Sequence, residues 1–250
     1  MERTIKTLCH PPLLETALSV IMKIPMLEMD AIGNFVAKVA PDFKMVRELV
    51  QQTFTLTPDS ISSQSPAPKP FGRQYTKDKN LVLLIQNRSL EEVEFVFSVL
   101  PPYTNWEDLY NSGRPILDAF IANFHVACIN RIAVRSIDRL FAPYDGCAIT
   151  DIIKTVPPDI GALSTPFVHG FNYHDMMYYK DFDLCATVIR ATSPASKDPR
   201  FSVILDSDVS TPPKRSYVAD DINTQLRKIV ELKDIIFFNS VGDKCMEGLA

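Results

Sequence analysis

Alternation of apolar and polar positions runs through most of the chain and predicts mainly β-structure. Residues 13–24 alternate around apolar positions and predict a strand that is buried on at least one face. Further strands are predicted where β-branched and aromatic residues cluster, over 53–57, 72–76, 80–86, 92–99, 128–140, 167–179, 182–192 and 201–209. Short polar turns separate several of these segments, and such connections favour antiparallel pairing.

Three longer segments carry apolar residues at helical spacing. The first covers 27–40, with 45–50 as a short continuation, and the third covers 219–240. Asn105 is expected to cap the second helix, and Pro115 is expected to kink or split it. Residues 149–154 predict one helical turn or two. The predicted class is therefore α+β, a predominantly antiparallel sheet with three main helices.

Prolines mark the breaks between these elements, and the serine- and proline-rich stretch 60–70 predicts a loop. We find no clean repeat, and no linker is long enough to require independent domains. The chain 1–250 is therefore expected to form a single domain. The alternative is two lobes, 1–142 and 167–250, joined by 143–166.

Composition narrows the function classes. The net charge of −4 argues against a generic affinity for nucleic acid, which depends on neutralising phosphates with Lys and Arg. No apolar segment is long enough to cross a membrane or to serve as a signal peptide, so we expect a cytoplasmic protein without membrane contact. The five cysteines are scattered and predict free thiols, not a disulfide framework or a zinc cage.

Two charged pairs are the candidate ligand-binding residues. Arg131 and Arg135 lie four apart on a predicted strand, on the same face as Ile129, Ala133 and Ile137. Their guanidinium groups are then about 13 Å apart, too far to chelate one phosphate.

The acidic pair, Asp206 and Asp208, shares a face of another predicted strand. Arginines and aspartates form a structural ion-pair network if these strands are neighbours, and otherwise the arginines are open to a longer anion or a partner. The two aspartates alone are too few ligands for a divalent metal.

Other familiar chemistry is missing or incomplete. The chain has no nucleophile elbow and no glycine-rich phosphate loop, so we predict no catalytic residue, no metal and no cofactor. His169 and His174 are read as polar residues of an edge strand, because zinc needs at least three converging ligands. Cys147 follows a predicted turn, where an exposed thiol is open to reaction.

Four short motifs occur in a fixed order. They are PPLLE at 11–15, RIAVRSIDRL at 131–140, LDSD at 205–208 and a closing amphipathic helix. In these motifs and in length the chain resembles a sporadically distributed bacterial family of no established activity. Ser136 and Asp138 stand where that family more often has an aromatic residue and an asparagine, so the resemblance carries over only Arg131 and Arg135. It supplies no catalytic residue.

Two hypotheses follow. The first is a non-enzymatic interaction or regulatory protein of a bacterial system, which binds a protein partner or itself as a homo-oligomer. The alternative is an enzyme or sensor that recognises a phosphate-containing or nucleotide ligand through Arg131 and Arg135. Convergence of the four charged side chains in a solvent-open pocket favours the second hypothesis, and their mutual burial as ion pairs favours the first.

Overall fold

The computed structural model describes residues 8, 11–51, 56–57, 60–61, 69–102, 105–144, 146–154, 171–193 and 200–249. The strands are β1 (Leu13–Lys23), β2 (Lys44–Gln51), β3 (Leu56–Thr57), β4 (Ser60–Ile61), β5 (Lys69–Lys77), β6 (Leu81–Asn87), β7 (Glu92–Val99), β8 (Cys128–Phe141), β9 (Asn172–Tyr179), β10 (Leu184–Thr192) and β11 (Ser202–Ser210). The helices are α1 (Met29–Val39), α2 (Trp106–Asn123), α3 (Ile149–Ile152), α4 (Asp221–Ser240) and α5 (Asp243–Glu247).

One antiparallel sheet of nine strands organises the molecule, in the order β2-β5-β6-β7-β1-β8-β11-β10-β9, while β3 and β4 pair separately. The fold is α+β with a dominant sheet, as predicted, and the three long helices are those expected from the apolar spacing. No helix in the described ranges is long and apolar enough to cross a membrane.

The sheet has two halves with the same connectivity. In the first half, β1 is followed by α1 and by a meander whose last strand, β7, pairs back onto β1 before α2 begins. In the second half, β8 is followed by the meander β9-β10-β11, whose last strand pairs back onto β8 before α4 begins. The first strands of the halves, β1 and β8, pair with each other at the centre of the sheet.

The long helices lie on one face of this sheet. Helix α2 lies against the phenylalanines of β7 through Phe120, whose ring is 5.7 Å from that of Phe95. Gly113 allows this close approach, because a Cβ there would lie 2.7 Å from the ring of Phe97. Helix α4 covers β8 and β11 with buried aliphatic residues such as Ile229 and Leu232.

The structure corrects several local predictions. Residues 45–50 do not continue a helix but belong to strand β2, which pairs with β5. Helix α2 runs unbroken through Pro115, and its N-cap is Asn105 as expected, accepting a hydrogen bond from the backbone N–H of Asp108 at 2.9 Å. The meander of the first half has four strands and not three, and its strand β5 begins within the predicted loop, at Lys69.

Several predicted segments lie partly or wholly outside the described residues, among them 53–55, 62–68 and 167–170. The separation into two lobes stays a prediction.

Candidate functional site

Strand β8 carries both candidate arginines at the centre of the sheet. A β-bulge opposite the Ile21–Met22 step shifts the register, so that Arg131 pairs with Ile21 but Ile129 pairs with Met22. The extra residue turns Ile129 to the helix-covered face, where it is buried, and the prediction that it shares a face with the arginines is wrong. Arg131 and Arg135 do share the opposite face, with Ala133 between them.

The two aspartates come from the neighbouring strand β11, as the ion-pair hypothesis required. Arg135 donates from Nε and one Nη to the two carboxylate oxygens of Asp206, at 2.8 and 2.5 Å. Arg131 donates to Asp208 at 2.5 Å. Each arginine therefore reaches diagonally across the ladder, since Arg135 stands directly opposite Asp208 in the register.

These side chains pair with one another but are not fully buried. The Arg135 side chain is 50% exposed, whereas that of its partner Asp206 is only 12% exposed. Arg131 and Asp208 are each partly exposed. The four residues combine features of both hypotheses, because they pair with one another and also border an open concavity.

That concavity, which we call the trough, lies on the sheet face opposite the long helices and has a volume of about 370 Å³. Small side chains form its floor across the central strands, and Ala133 is only 1% exposed although no long helix of the described ranges covers it. The trough is lined by Glu15, Ala17, Ser19, Gln74, Val82, Leu84, Gln86, Glu94, Val96, Ser98, Arg131, Ala133, Arg135 and Asp208.

Glu94 of β7 is a buried carboxylate of the trough that was not among the residues predicted from the sequence. It is buried and accepts hydrogen bonds from Ser19 at 2.8 Å, from Gln86 at 2.7 Å and from Arg88 at 3.3 Å. A buried carboxylate requires such donors, because an unpaired one is costly to desolvate. The sequence feature that could have indicated it is a glutamate within the mostly apolar segment 92–99.

Among the described residues of this region, carboxylates outnumber guanidinium groups. Glu15, Glu94 and Asp208 line the trough and Asp206 borders it through Arg135, against the guanidinium groups of Arg131 and Arg135. Arg88 adds a third guanidinium from outside and leaves the excess negative. The pKa of Arg135 is raised above its ordinary value, chiefly by the hydrogen bond to Asp206, so this cation stays charged.

A second set of ionisable groups lies on the helix-covered face of the second half. Asp138 is 4% exposed, and burial raises its pKa to about 7, although Lys233 of α4 opposes the shift. Arg190 is also buried and donates to Asp175 at 2.5 Å. The sequence indicated the position of Asp138, since its spacing along β8 places it on the same face as the apolar residues Ile132 and Val134.

The remaining candidates form no common site. His174 is exposed on the edge strand β9, His125 lies just past the end of α2 in a left-handed conformation, and Cys147 is partly exposed. His169 lies outside the described residues. Within the described ranges, no three His, Cys, Asp or Glu side chains are grouped closely enough to hold a metal ion.

Comparison with known proteins assigns no family to this chain. No protein-family model matches it, and no curated protein matches its sequence.

Proposed function

We propose that this chain is a non-enzymatic binding protein whose trough receives a cationic segment of a protein partner. The observation that carries the proposal is the excess of carboxylates in an open concavity at the centre of the sheet. A lysine or arginine side chain of a partner supplies the charge that this excess lacks.

The apolar wall of the trough supports the same ligand chemistry. Val82, Leu84 and Val96 lie beside the carboxylates on β6 and β7. Lysine and arginine side chains combine a hydrocarbon stem with a charged head, and such side chains lay the stem along apolar surface while the head reaches polar groups. The small floor residues leave room for the stem.

The state of the arginines argues against the alternative, a phosphate or nucleotide ligand. Asp206 already occupies two donors of Arg135, and Asp208 occupies a donor of Arg131. An incoming phosphate would have to displace these carboxylates, and the remaining negative charge of the trough would repel it. The arginines therefore hold two carboxylates in place and set the shape of the trough wall.

A panel of fluorescent probes tests this function. Eight-residue peptides that alternate glycine with lysine, glutamate or serine, and labelled ADP, are titrated into the protein and followed by fluorescence anisotropy. We expect the lysine peptide alone to bind, with an affinity that weakens as salt is added. The double variant Glu15→Gln/Asp208→Asn should weaken it about tenfold, since each lost charge contributes up to about 1 kcal/mol.

The matched control is Glu107→Gln/Asp220→Asn, which makes the same charge change at exposed positions of the helix layer. It should bind the lysine peptide like the wild type. Equal weakening by both double variants would mean that only overall charge matters and would refute the trough. Binding of ADP that Arg131→Ala abolishes would support the nucleotide alternative instead.

A further inference from the structure

The two edges of the nine-stranded sheet differ in how they expose their backbone. Strand β9 pairs with β10 through eight consecutive residue pairs without a register shift, and no described residue pairs with its outer edge. A regular edge of this kind presents a row of free N–H and C=O groups to another strand.

Strand β2, at the opposite edge, is protected against such pairing. Its ladder with β5 contains two register shifts, and it carries Lys44, Arg47 and Glu48. Bulges and charged residues are the usual means by which edge strands avoid pairing with other chains. Strand β9 has neither a bulge nor a lysine or proline, and its one acidic residue, Asp175, is held by Arg190.

Two large side chains, Met176 and Tyr178, are exposed on the open face of β9. Met176 is 77% exposed and Tyr178 is 57% exposed, and they alternate with His174 and Asn172 on this face. Met and Tyr are residue types that protein interfaces favour. Both the backbone and the side chains of this edge are therefore suited to strand addition.

We infer that β9 pairs antiparallel with β9 of a second copy, about a two-fold axis that passes between the two copies of Met176. In an antiparallel pair, directly opposed residues point to the same face, so only registers centred on a residue keep the open faces of both copies aligned. Centring on Met176 opposes His174 with Tyr178 and Tyr173 with Tyr179, and no like charges meet.

The neighbouring registers are poorer. Centring on Asp175 places two carboxylates directly opposite each other, which destabilises a strand pair. Centring on Met177 shortens the ladder within β9 and opposes His174 with Lys180. The register about Met176 gives the longest ladder in which no like charges are opposed. Because β9 complements itself in this register, we assign its outer edge to β9 of a second copy.

This axis stands perpendicular to the sheet, so it joins two nine-stranded sheets and leaves both troughs on the same face. A partner with two cationic segments could then engage both copies at once, which raises its apparent affinity. The pairing itself stands independently of what the trough binds.

Sedimentation velocity of the full chain over a range of concentrations tests the inference. We expect a monomer–dimer equilibrium that Met176→Lys abolishes, because it places two ammonium groups together at the axis. Met45→Lys is the matched control, since Met45 is 55% exposed on the protected edge β2, and it should dimerise like the wild type. A wild type that stays monomeric, or equal effects of the two variants, would overturn the proposal.

Cross-linking tests the register. Opposed residues of an antiparallel pair have Cα atoms about 4.5–5.5 Å apart, within the range of a disulfide. Met176→Cys opposes itself and should give a covalent dimer on mild oxidation, at a level above that of the wild type with its native thiols. Tyr178→Cys opposes His174 and should not. A covalent dimer from Tyr178→Cys, with none from Met176→Cys, would contradict the axis.

Discussion

The two halves of the sheet share a connectivity but differ in what they bury beneath their helices. In the first half, α1 and α2 enclose a phenylalanine cluster in which Phe120 contacts Phe35, Phe95 and Phe124. In the second half, α4 covers aliphatic residues and also the polar groups Ser136, Asp138 and Ser207. A similar connectivity therefore supports an aromatic core on one side and an ionisable layer on the other.

This difference extends to the open face. The second half contributes Asp206 and Asp208 from β11 and also, from β8, the two arginines that hold them. The first half contributes the apolar wall and the buried Glu94. We interpret the first half as the stable base of the fold and the second as the half whose stability depends on charge.

The largest expected effect is in the aromatic core. Phe120→Ala removes a fully buried ring at the centre of the cluster and should lower the free energy of unfolding by about 4 kcal/mol, because a cavity is left behind. Urea unfolding monitored by circular dichroism measures it. The comparison is the conservative change Ile229→Val in the second half, which should lower the free energy of unfolding by about 1 kcal/mol. A loss below that of Ile229→Val would contradict the assignment of the base to the first half.

Next in size is the pH dependence of the second half. Because the folded pKa of Asp138, about 7, exceeds its ordinary 3.8, the folded state holds this proton more tightly than the unfolded chain. The stabilisation is complete below about pH 4 and is lost as the pH rises through 7, by about 3 kcal/mol between pH 5 and pH 8. Asp138→Asn should remove this part of the slope, which urea unfolding at the two pH values measures.

The control for Asp138 is Asp118→Asn, since Asp118 is an exposed carboxylate of α2 that pairs with Arg114. It should leave the slope between pH 5 and pH 8 as in the wild type. If Asp138→Asn also left the slope unchanged, the ionisable layer beneath α4 would not distinguish the two halves.

A smaller effect is expected for the ion pair at the trough wall. A double-mutant cycle of Arg135→Ala and Asp206→Ala should give a coupling energy of about 1 kcal/mol, since the arginine is half exposed and solvent screens the pair. The coupling should shrink in high salt. A coupling that did not change with salt would mean that packing, not charge, joins the two side chains.

The sequence predicted the class, the long helices and the alignment of both charged pairs, because each follows from local periodicity. It did not predict the bulge that turns Ile129 inward. The segments before and after the inserted residue each keep their own alternation, and only the pairing with β1 shows the shift between them. It also misread β2, whose residues are mostly exposed on both faces and therefore show no strand alternation.

The candidate site was predictable only in part. The spacing predicted that Arg131 lies on one face with Arg135 and Asp206 on one face with Asp208. It could not predict that β8 pairs with β11, because these strands are far apart in sequence. Glu94 and the apolar wall of β6 and β7 join the site because β7 pairs with β1, a strand far away in sequence. No local pattern could show that the long helices of the described residues all lie on the same face of the sheet.

The trough is tested most directly by amide NMR of the isotope-labelled protein during titration with the lysine peptide. We predict saturable chemical-shift changes at the amides of trough residues on the central strands, including Ala17, Ser98 and Ala133, with few changes in α2 or α4. The glutamate peptide should cause none. Shifts confined to the helix layer, or none with the lysine peptide at saturating concentration, would contradict the claim that the open face of the sheet is the binding surface.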